Sequence, residues 1–141
     1  MIYLDSNVFI CAALYDDATG EYARDIIKRV RCGEFRASTS TLTFDEVYWI
    51  VKREKGKEAA LKIINAFLHM RNLDFIAVDK ELLFATYELL EDRDLDPRDS
   101  IHLACAIESR ASILVSEDSD FDEIDLIENL TMEIFLKERC S

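Results

Sequence analysis

Short apolar runs that alternate with longer amphipathic stretches are the feature that most restricts how this chain of 141 residues can fold. The runs are too short for helices and favour β-structure, which predicts buried strands. Strands that are separated by helices pair in parallel and need helices on both faces of the sheet. We therefore predict an α/β fold of three α/β/α layers with a mostly parallel central sheet of roughly four to five strands. The predicted strands are Ile2–Leu4, Phe35–Ser38, Phe75–Val78 and Ser112–Ser116, with Met132–Leu136 as a last edge strand.

The stretches between these runs have the period of amphipathic helices. Asn7, Ser40 and Asp79 are side chains of the kind that caps a helix N-terminus, and each precedes such a stretch. Gly56 marks a break between two of the helices. The predicted helices are Val8–Leu14, Thr19–Arg31, 41–55, Lys57–Met70, Lys80–Glu91 and Arg98–Arg110.

Length and composition indicate one domain that spans residues 1–141. A chain of this length fits a single domain, and folding hides roughly 70% of the surface that it exposes when unfolded. Only three Gly and one Pro are present, which leaves little room for linkers, and no internal repeat or low-complexity segment occurs.

The charge of the chain narrows the class of partner. There are 29 acidic against 17 basic side chains, a formal charge of −12, which argues against a protein that coats DNA without specificity, because such a protein needs a basic face. The same charge is compatible with an enzyme that gathers carboxylates around a metal ion.

Location is indicated by three absences from the sequence. The segment Met1–Asp5 has no basic start, which argues against a signal peptide, and Val8–Leu14 is too short to span a bilayer. The four cysteines show no C-x-x-C spacing, and Cys11 and Cys105 lie in apolar runs. We expect a cytoplasmic protein with reduced cysteines and no membrane partner.

Acidic residues follow two of the predicted strands. Asp5 comes directly after the first strand, and Asp118 comes shortly after the fourth, with Asp120 two positions further on. In open parallel sheets, functional sites form at the carboxyl ends of strands. These acids are therefore expected at one edge of the sheet.

Two predicted helices each add an acid that faces inward. Glu46 interrupts an apolar stripe that contains Leu42 and Ile50, so its phase favours it over the neighbouring Asp45. Asp99 is in register with the inward-facing Leu103 of its own helix.

Carboxylates that are forced together repel one another. Two of them at about 4 Å repel by roughly 4 kcal/mol at an effective dielectric of 20. A hard cation relieves the repulsion, and Mg²⁺ or Mn²⁺ suits a pocket of carboxylate oxygens. Such ions activate water and neutralise a phosphodiester in its transition state, so the pattern indicates metal-dependent phosphodiester chemistry.

Four motifs contain the acids described above and follow one another along the chain: Leu4–Val8, Ser40–Val47, Arg98–Ala106 and Ser116–Phe121. Each motif is weak alone, but together they extend over essentially the whole chain at spacings that fill a domain. Their order resembles that of the PIN-domain ribonucleases.

The resemblance implies an activity, a metal site and partners. It implies that Asp5, Glu46, Asp99 and Asp118 bind Mg²⁺ or Mn²⁺ and cleave RNA, with Asp120 as a fifth carboxylate. Asn7 and Ser116 would orient the first carboxylates by hydrogen bonding. The short members of the family are mostly VapC-type toxins, which form homodimers and are silenced by a small antitoxin protein.

Other interpretations of the same residues remain open at this stage. Asp5 could cap the first helix, Asp96 and Asp99 could make a capped start for a later helix, and Asp118 and Asp120 could be turn residues. His102 fits a structural histidine, or a donor to a metal ligand, better than a metal ligand.

Three other functions compete with a nuclease toxin. The first is a PIN-like nuclease for RNA processing without an antitoxin, and the second is a non-catalytic binding module that keeps the fold. The third is an aspartyl-phosphate phosphohydrolase, although those enzymes carry a second Asp where Asn7 stands.

Overall fold

The computed structural model describes residues 1–140 and contains one sheet of five strands, all parallel. The strand order is β3-β2-β1-β4-β5, so the chain builds outward from β1 to one edge, then returns to β4 on the other side of β1. The strands are β1 Ile2–Leu4, β2 Ala37–Ser40, β3 Leu73–Ile76, β4 Ile113–Val115 and β5 Glu128–Leu130.

Seven helices flank this sheet and give the three layers that the sequence predicts. The helices are α1 Ser6–Leu14, α2 Ala18–Arg31, α3 Thr41–Lys55, α4 Lys57–Leu68, α5 Lys80–Asp92, α6 Pro97–Glu108 and α7 Met132–Arg139. Gly56 stands between α3 and α4 with φ 88°, a conformation that glycine adopts without strain.

The two faces of the sheet bury separate cores. In β1, Ile2 and Leu4 pack with α1, α2, α3, α4 and α7, while Tyr3 points to the opposite face and packs with α5 and α6. This alternation follows from the two-residue period of a strand. Because β1 is covered on both sides, all three of its residues are buried.

The structure corrects one predicted element and one predicted helix cap. The segment Met132–Leu136, predicted as an edge strand, forms most of helix α7, and the fifth strand lies just before it. Asn7 does not cap the first helix; Asp5 occupies the N-cap and accepts a hydrogen bond from the Ser6 amide. Ser40 and Asp79 do cap α3 and α5.

Two strands are shifted along the chain from their predicted positions. The prediction places the second strand two residues too early and the third two residues too late, because in both places aromatic and apolar residues next to the strand share its β-propensity. Three elements are shorter at their C-terminal ends than predicted: α4, α6 and β4 end before Met70, Arg110 and Ser116, which the prediction included.

No helix in the described part of the chain combines the length and the apolar character needed to cross a membrane.

The strand order indicates that a site can form at the carboxyl end of the sheet. Connections leave β1 and β4 toward opposite edges, and a crevice forms at such a point in open α/β sheets. Asp5 and Ser116 directly follow these two strands.

Candidate active site

Asp5 is held in place by a set of hydrogen bonds at the end of β1. Ser116 Oγ donates to Asp5 Oδ2 over 2.7 Å, and Asn7 Nδ2 donates to the same oxygen over 3.3 Å. The Ser6 amide donates to Oδ1 over 2.8 Å. The carboxylate is only 4% exposed, so these donors replace the water that it would otherwise bind.

Ser116 connects Asp5 to the loop that follows β4. Its Oγ accepts from the backbone N–H of Asp118 over 3.0 Å, and Asn7 Nδ2 lies 3.3 Å from the same oxygen. Asp118 Oδ1 in turn accepts from the Asp120 amide over 2.9 Å. One serine therefore fixes the positions of the first carboxylate and of the loop that carries the last two.

Glu46 is the carboxylate that α3 directs to the site, while its neighbour Asp45 is exposed. Glu46 Oε1 lies 2.6 Å from His102 Nε2, and its side chain is 13% exposed. His102 comes from α6, and its Nε2 is also 3.4 Å from Asp5 Oδ1. The histidine thus stands between carboxylates from two different elements.

Asp99 lies at the start of α6, in an open cleft with other carboxylates. Asp96, Asp99 and Asp120 each have an oxygen within 4.8 Å of the others. The cleft has a volume of about 440 Å³ and is lined by Glu46, Asp96, Pro97, Arg98, Asp99, Asp118 and Asp120. All five acids proposed from the sequence therefore lie in or beside one site.

Burial and the neighbouring carboxylates raise the pKa of Asp99. Burial, the charges of Asp118 and Asp5 and a hydrogen bond with Asp120 raise the pKa of Asp99 to about 7. This is the outcome expected when several acids share a site with too little positive charge. Burial alone would lower the pKa of His102, but the Glu46 hydrogen bond and the Asp5 charge outweigh it and raise that pKa.

Two of the acids serve the fold as well as the site. Asp5 caps α1, and Asp118 caps the short 3-10 turn at Ser119–Phe121. Asp96 occupies the N-cap position of α6 but makes no side-chain hydrogen bond there. The capping interpretation of Asp5 and the turn interpretation of Asp118 are thus correct as descriptions of local structure, while the same side chains also approach the other carboxylates.

Two contributors to this site, Asp96 and Tyr3, were not identified as such in the sequence. Asp96 lies in an acidic run that looks like a solvated loop, and nothing in its spacing distinguishes it. Tyr3 is buried in β1, and its hydroxyl lies 2.7 Å from His102 Nδ1. A buried tyrosine needs a partner for its hydroxyl, so the sequence did contain a signal for Tyr3. His102 was expected to be structural or a donor to a ligand, and it contacts both Glu46 and Asp5.

The donor set fits a hard divalent cation. Every candidate ligand in the cleft is a carboxylate oxygen, which is the ligand that Mg²⁺ and Mn²⁺ prefer. The raised pKa of Asp99 is consistent with this, because burial and, after it, the charges of Asp118 and Asp5 disfavour its ionised form, and a cation would offset both. Zinc is a poorer fit, since His102, the histidine beside the cleft, is occupied by Tyr3 and Glu46, and no cysteine of residues 1–140 lines the cleft.

Comparison with known proteins identifies one matching family model. The model described as the PIN domain matches residues 2–127. No curated protein matches the chain by sequence.

Solved structures share the fold at low sequence identity. The VapBC2 complex from Rickettsia felis, bound to a DNA fragment from its promoter, matches with a TM-score of 0.71 and 20% identity over 93% of this chain and 98% of that one. VapC20 from Mycobacterium tuberculosis, a Sarcin-Ricin loop cleaving toxin, matches with a TM-score of 0.72 and 19% identity over 91% and 98%. FitAcB from Neisseria gonorrhoeae matches with 0.71 and 12% over 94% and 99%. At these identities, the similarity to the three structures is a similarity of fold.

Proposed function

This chain belongs to the PIN domain family, and from that premise we propose that it is a Mg²⁺- or Mn²⁺-dependent endoribonuclease, the toxin of a toxin–antitoxin pair. The observation that supports the proposal most directly is the meeting of five acids from four separate segments of the sequence at one edge of the sheet. They are Asp5, Glu46, Asp99, Asp118 and Asp120. We propose further that residues 1–141 act as one nuclease domain in the cytoplasm.

The proposed metal ligands are Asp5, Glu46, Asp99 and Asp118, with Asp120 as a fifth carboxylate. When bound, a divalent cation would neutralise charge on a phosphodiester and activate water for attack on phosphorus. Among residues 1–140, those that line the cleft are Glu46, Asp96, Pro97, Arg98, Asp99, Asp118 and Asp120, so the carboxylates are the chemical groups that carry the proposal.

The chain's own residues perform three tasks in this proposal. Ser116 and Asn7 orient the Asp5 carboxylate through donors on one of its oxygens. His102 holds Glu46. Asp99, whose pKa is about 7, carries a proton for part of the time near neutral pH and would release it when a cation arrives.

RNA as substrate and an antitoxin as partner are supported by the structural neighbours. One neighbour is described as a toxin that cleaves the Sarcin-Ricin loop, another as a toxin–antitoxin complex, and two more as VapBC. The charge of −12 repels a polyanion, so substrate binding would depend on the cation and on local basic side chains such as Arg98 at the cleft.

A homodimer is the proposed assembly. Helix α5 carries a face of large apolar side chains that the described chain leaves exposed: Leu83, Phe84, Tyr87 and Leu90 are 38% to 63% exposed. A patch of this kind typically marks an interface. Light scattering on the wild type and on Phe84→Glu would test it, with a fall from dimer to monomer mass as the expected result.

A cleavage assay with matched variants tests the activity. We expect the purified protein to cut single-stranded RNA with Mg²⁺ or Mn²⁺, to stop when the metal is chelated, and to lose cleavage in Asp99→Asn. Asp79→Asn is the matched control: it also removes an acid from a helix start, but Asp79 caps α5 outside the cleft, and Asn caps as well as Asp does. Equal cutting by wild type and Asp99→Asn would refute the proposed site.

Metal binding by the wild type, Asp79→Asn and Asp5→Asn distinguishes a nuclease from a binding module that only keeps the fold. Calorimetric titration with Mn²⁺ should show binding to the wild type and to Asp79→Asn, with weaker binding to Asp5→Asn. A protein that binds no Mn²⁺ and cuts no RNA would contradict the proposed function.

A further inference from the structure

A buried chain of hydrogen-bonding groups runs from the centre of the sheet to the acidic cleft. Tyr3, in the middle of β1, is fully buried, and its hydroxyl lies 2.7 Å from His102 Nδ1. His102 is 1% exposed, and its other nitrogen, Nε2, lies 2.6 Å from Glu46 Oε1. Tyr3 and His102 also meet edge to face, with their ring centroids 5.9 Å apart.

The partners of His102 require that Nε2 carries a proton. A carboxylate only accepts hydrogen bonds, so the contact with Glu46 is made by an N–H on Nε2. A tyrosine hydroxyl can both donate and accept. It therefore satisfies Nδ1 of a neutral ring by donating to it, and Nδ1 of a charged ring by accepting from it. In either charge state Tyr3 leaves the Nε2–H directed at Glu46.

Glu46 needs such a partner more than the other acids do. Asp5 is short, directly follows a strand and has three donors of its own. Glu46 has a longer and more mobile side chain, and His102 is its hydrogen-bond partner within residues 1–140. Its second oxygen, Oε2, makes no hydrogen bond to that part of the chain and is free for another ligand.

We propose that His102, supported by Tyr3, is a positioning residue that fixes one oxygen of Glu46 and thereby keeps the carboxylate ready for a divalent cation. The 3.4 Å approach of Nε2 to Asp5 Oδ1 gives the same N–H a second role, because it places the partial positive charge of a donor between two carboxylates that repel one another. This inference rests on the proposed metal site, but the contacts that it invokes exist without a metal.

Mn²⁺ binding, measured by calorimetry on the full chain, is the first test. His102→Leu removes the donor, and we expect its Mn²⁺ affinity to fall by roughly 10- to 100-fold, as is typical when the partner of a metal ligand is lost. His102→Gln keeps a side-chain N–H at a similar reach and should recover most of that affinity. Tyr3→Phe/His102→Leu is a second variant without an orphaned buried hydroxyl, which guards against loss of folding.

A double-mutant cycle shows whether His102 acts through Glu46. If it does, His102→Leu in a Glu46→Gln background should lower Mn²⁺ affinity further by much less than it does in the wild type. Additive losses, or a wild-type affinity in His102→Leu, would overturn the proposal. A wild-type affinity in Tyr3→Phe/His102→Leu would do so as well.

Nuclear magnetic resonance of the metal-free protein supplies a readout that does not depend on metal binding. We expect a slowly exchanging proton on His102 Nε2. The chemical shift of its resonance should change in Glu46→Gln, because that substitution converts a charge-assisted hydrogen bond into a neutral one. If the wild type bound no Mn²⁺, the proposed function would fail, and this signal alone would decide the anchoring role. If this signal were absent, or unchanged in Glu46→Gln, the proposed role of His102 would be overturned.

Discussion

At the scale of single residues, Asp5 shows how one side chain meets structural and chemical demands together. Its Oδ1 caps α1 through the Ser6 amide, while Oδ2 accepts from Ser116 and Asn7. The two oxygens face different partners because the residue lies where a central strand ends and a helix begins. Substitutions can separate the two demands, since Asn caps a helix but carries no charge.

Asp5→Asn and Asp5→Ala should therefore differ in stability more than in metal binding. We expect Asp5→Ala to lower the free energy of unfolding by about 0.5 to 2 kcal/mol through loss of the cap, and Asp5→Asn to lower it by less. Both should lose Mn²⁺ affinity. Urea denaturation and calorimetry measure the two effects, and full Mn²⁺ binding by Asp5→Asn would contradict the assignment of Asp5 as a ligand.

Asp99 makes the metal-free protein sensitive to pH. Its pKa is about 7 in the folded protein, above the value of an unfolded aspartate, so the folded state binds more protons between these two pKa values. Stability should therefore fall as the pH rises from about 4 to 7. Asp99→Asn removes this contribution, so the variant should be more stable than the wild type at neutral pH and show a smaller fall.

Thermal melts over this pH range, with metal chelated, measure the effect. Asp79→Asn is the control, and its melting temperature should follow the wild type with pH. An Asp99→Asn protein that melted lower than the wild type at neutral pH without metal would contradict the claim that Asp99 is destabilised by its neighbours.

The sequence pointed to the five acids and to Asn7, Ser116 and His102 as groups that support them, but not to Asp96 or Tyr3 as parts of the site. Asp5 and Asp118 follow apolar strands, and Glu46 interrupts an apolar stripe, so each one breaks a local pattern. Asp96 breaks no pattern, because it lies in an acidic run. The pairing of Tyr3 with His102 joins residues 99 positions apart, and only the packing of α6 against β1 brings them together.

At the scale of elements, the main error concerned α7. The segment Met132–Leu136 is a short apolar run that only Glu133 interrupts, which is compatible with a strand as well as with a helix turn. Thr131 decides in favour of the helix: its hydroxyl accepts from the Ile134 amide as an N-cap. The sheet edge beyond β4 is already completed by β5, so the later segment packs against α2 instead.

The helical assignment predicts different costs for two neighbouring side chains. Phe135 is 1% exposed and meets Phe35 edge to face at 5.3 Å, whereas Ile134 is 42% exposed. Phe135→Ala should lower the free energy of unfolding by about 3 to 5 kcal/mol. Ile134→Ala should cost much less, because its side chain stays half in water. Urea denaturation compares them, and similar losses would contradict the packing of α7.

At the scale of the whole molecule, the strand order explains why the acids meet. The order β3-β2-β1-β4-β5 puts β1 beside β4, although more than 100 residues separate them in the chain. The loops after these strands carry Asp5 and Asp118, and the starts of α3 and α6 add Glu46 and Asp99 nearby. Parallel pairing could be predicted from the alternation of strands and helices, but the neighbours of β1 could not, because local patterns contain no information on strand order.

The net charge of −12 and the acidic cleft predict two separable responses to ions. Monovalent salt screens repulsion between charges over the whole surface, so NaCl should raise the melting temperature of the wild type and of Asp99→Asn alike. A divalent cation that binds the folded site adds stability in proportion to the logarithm of its concentration above Kd, about 2.7 kcal/mol at a hundredfold excess. Mn²⁺ should therefore stabilise the wild type much more than Asp99→Asn.

Melts with increasing Mn²⁺ at constant, high NaCl distinguish the two responses. Constant NaCl keeps the screening fixed, so any further rise in melting temperature reports a specific site. Asp79→Asn should respond to Mn²⁺ like the wild type, because it has the same net charge as Asp99→Asn but keeps every acid of the cleft. Equal stabilisation of all three proteins would mean that Mn²⁺ acts on the general charge of the molecule. The proposal that the acids at the sheet edge form a specific metal site would then be contradicted.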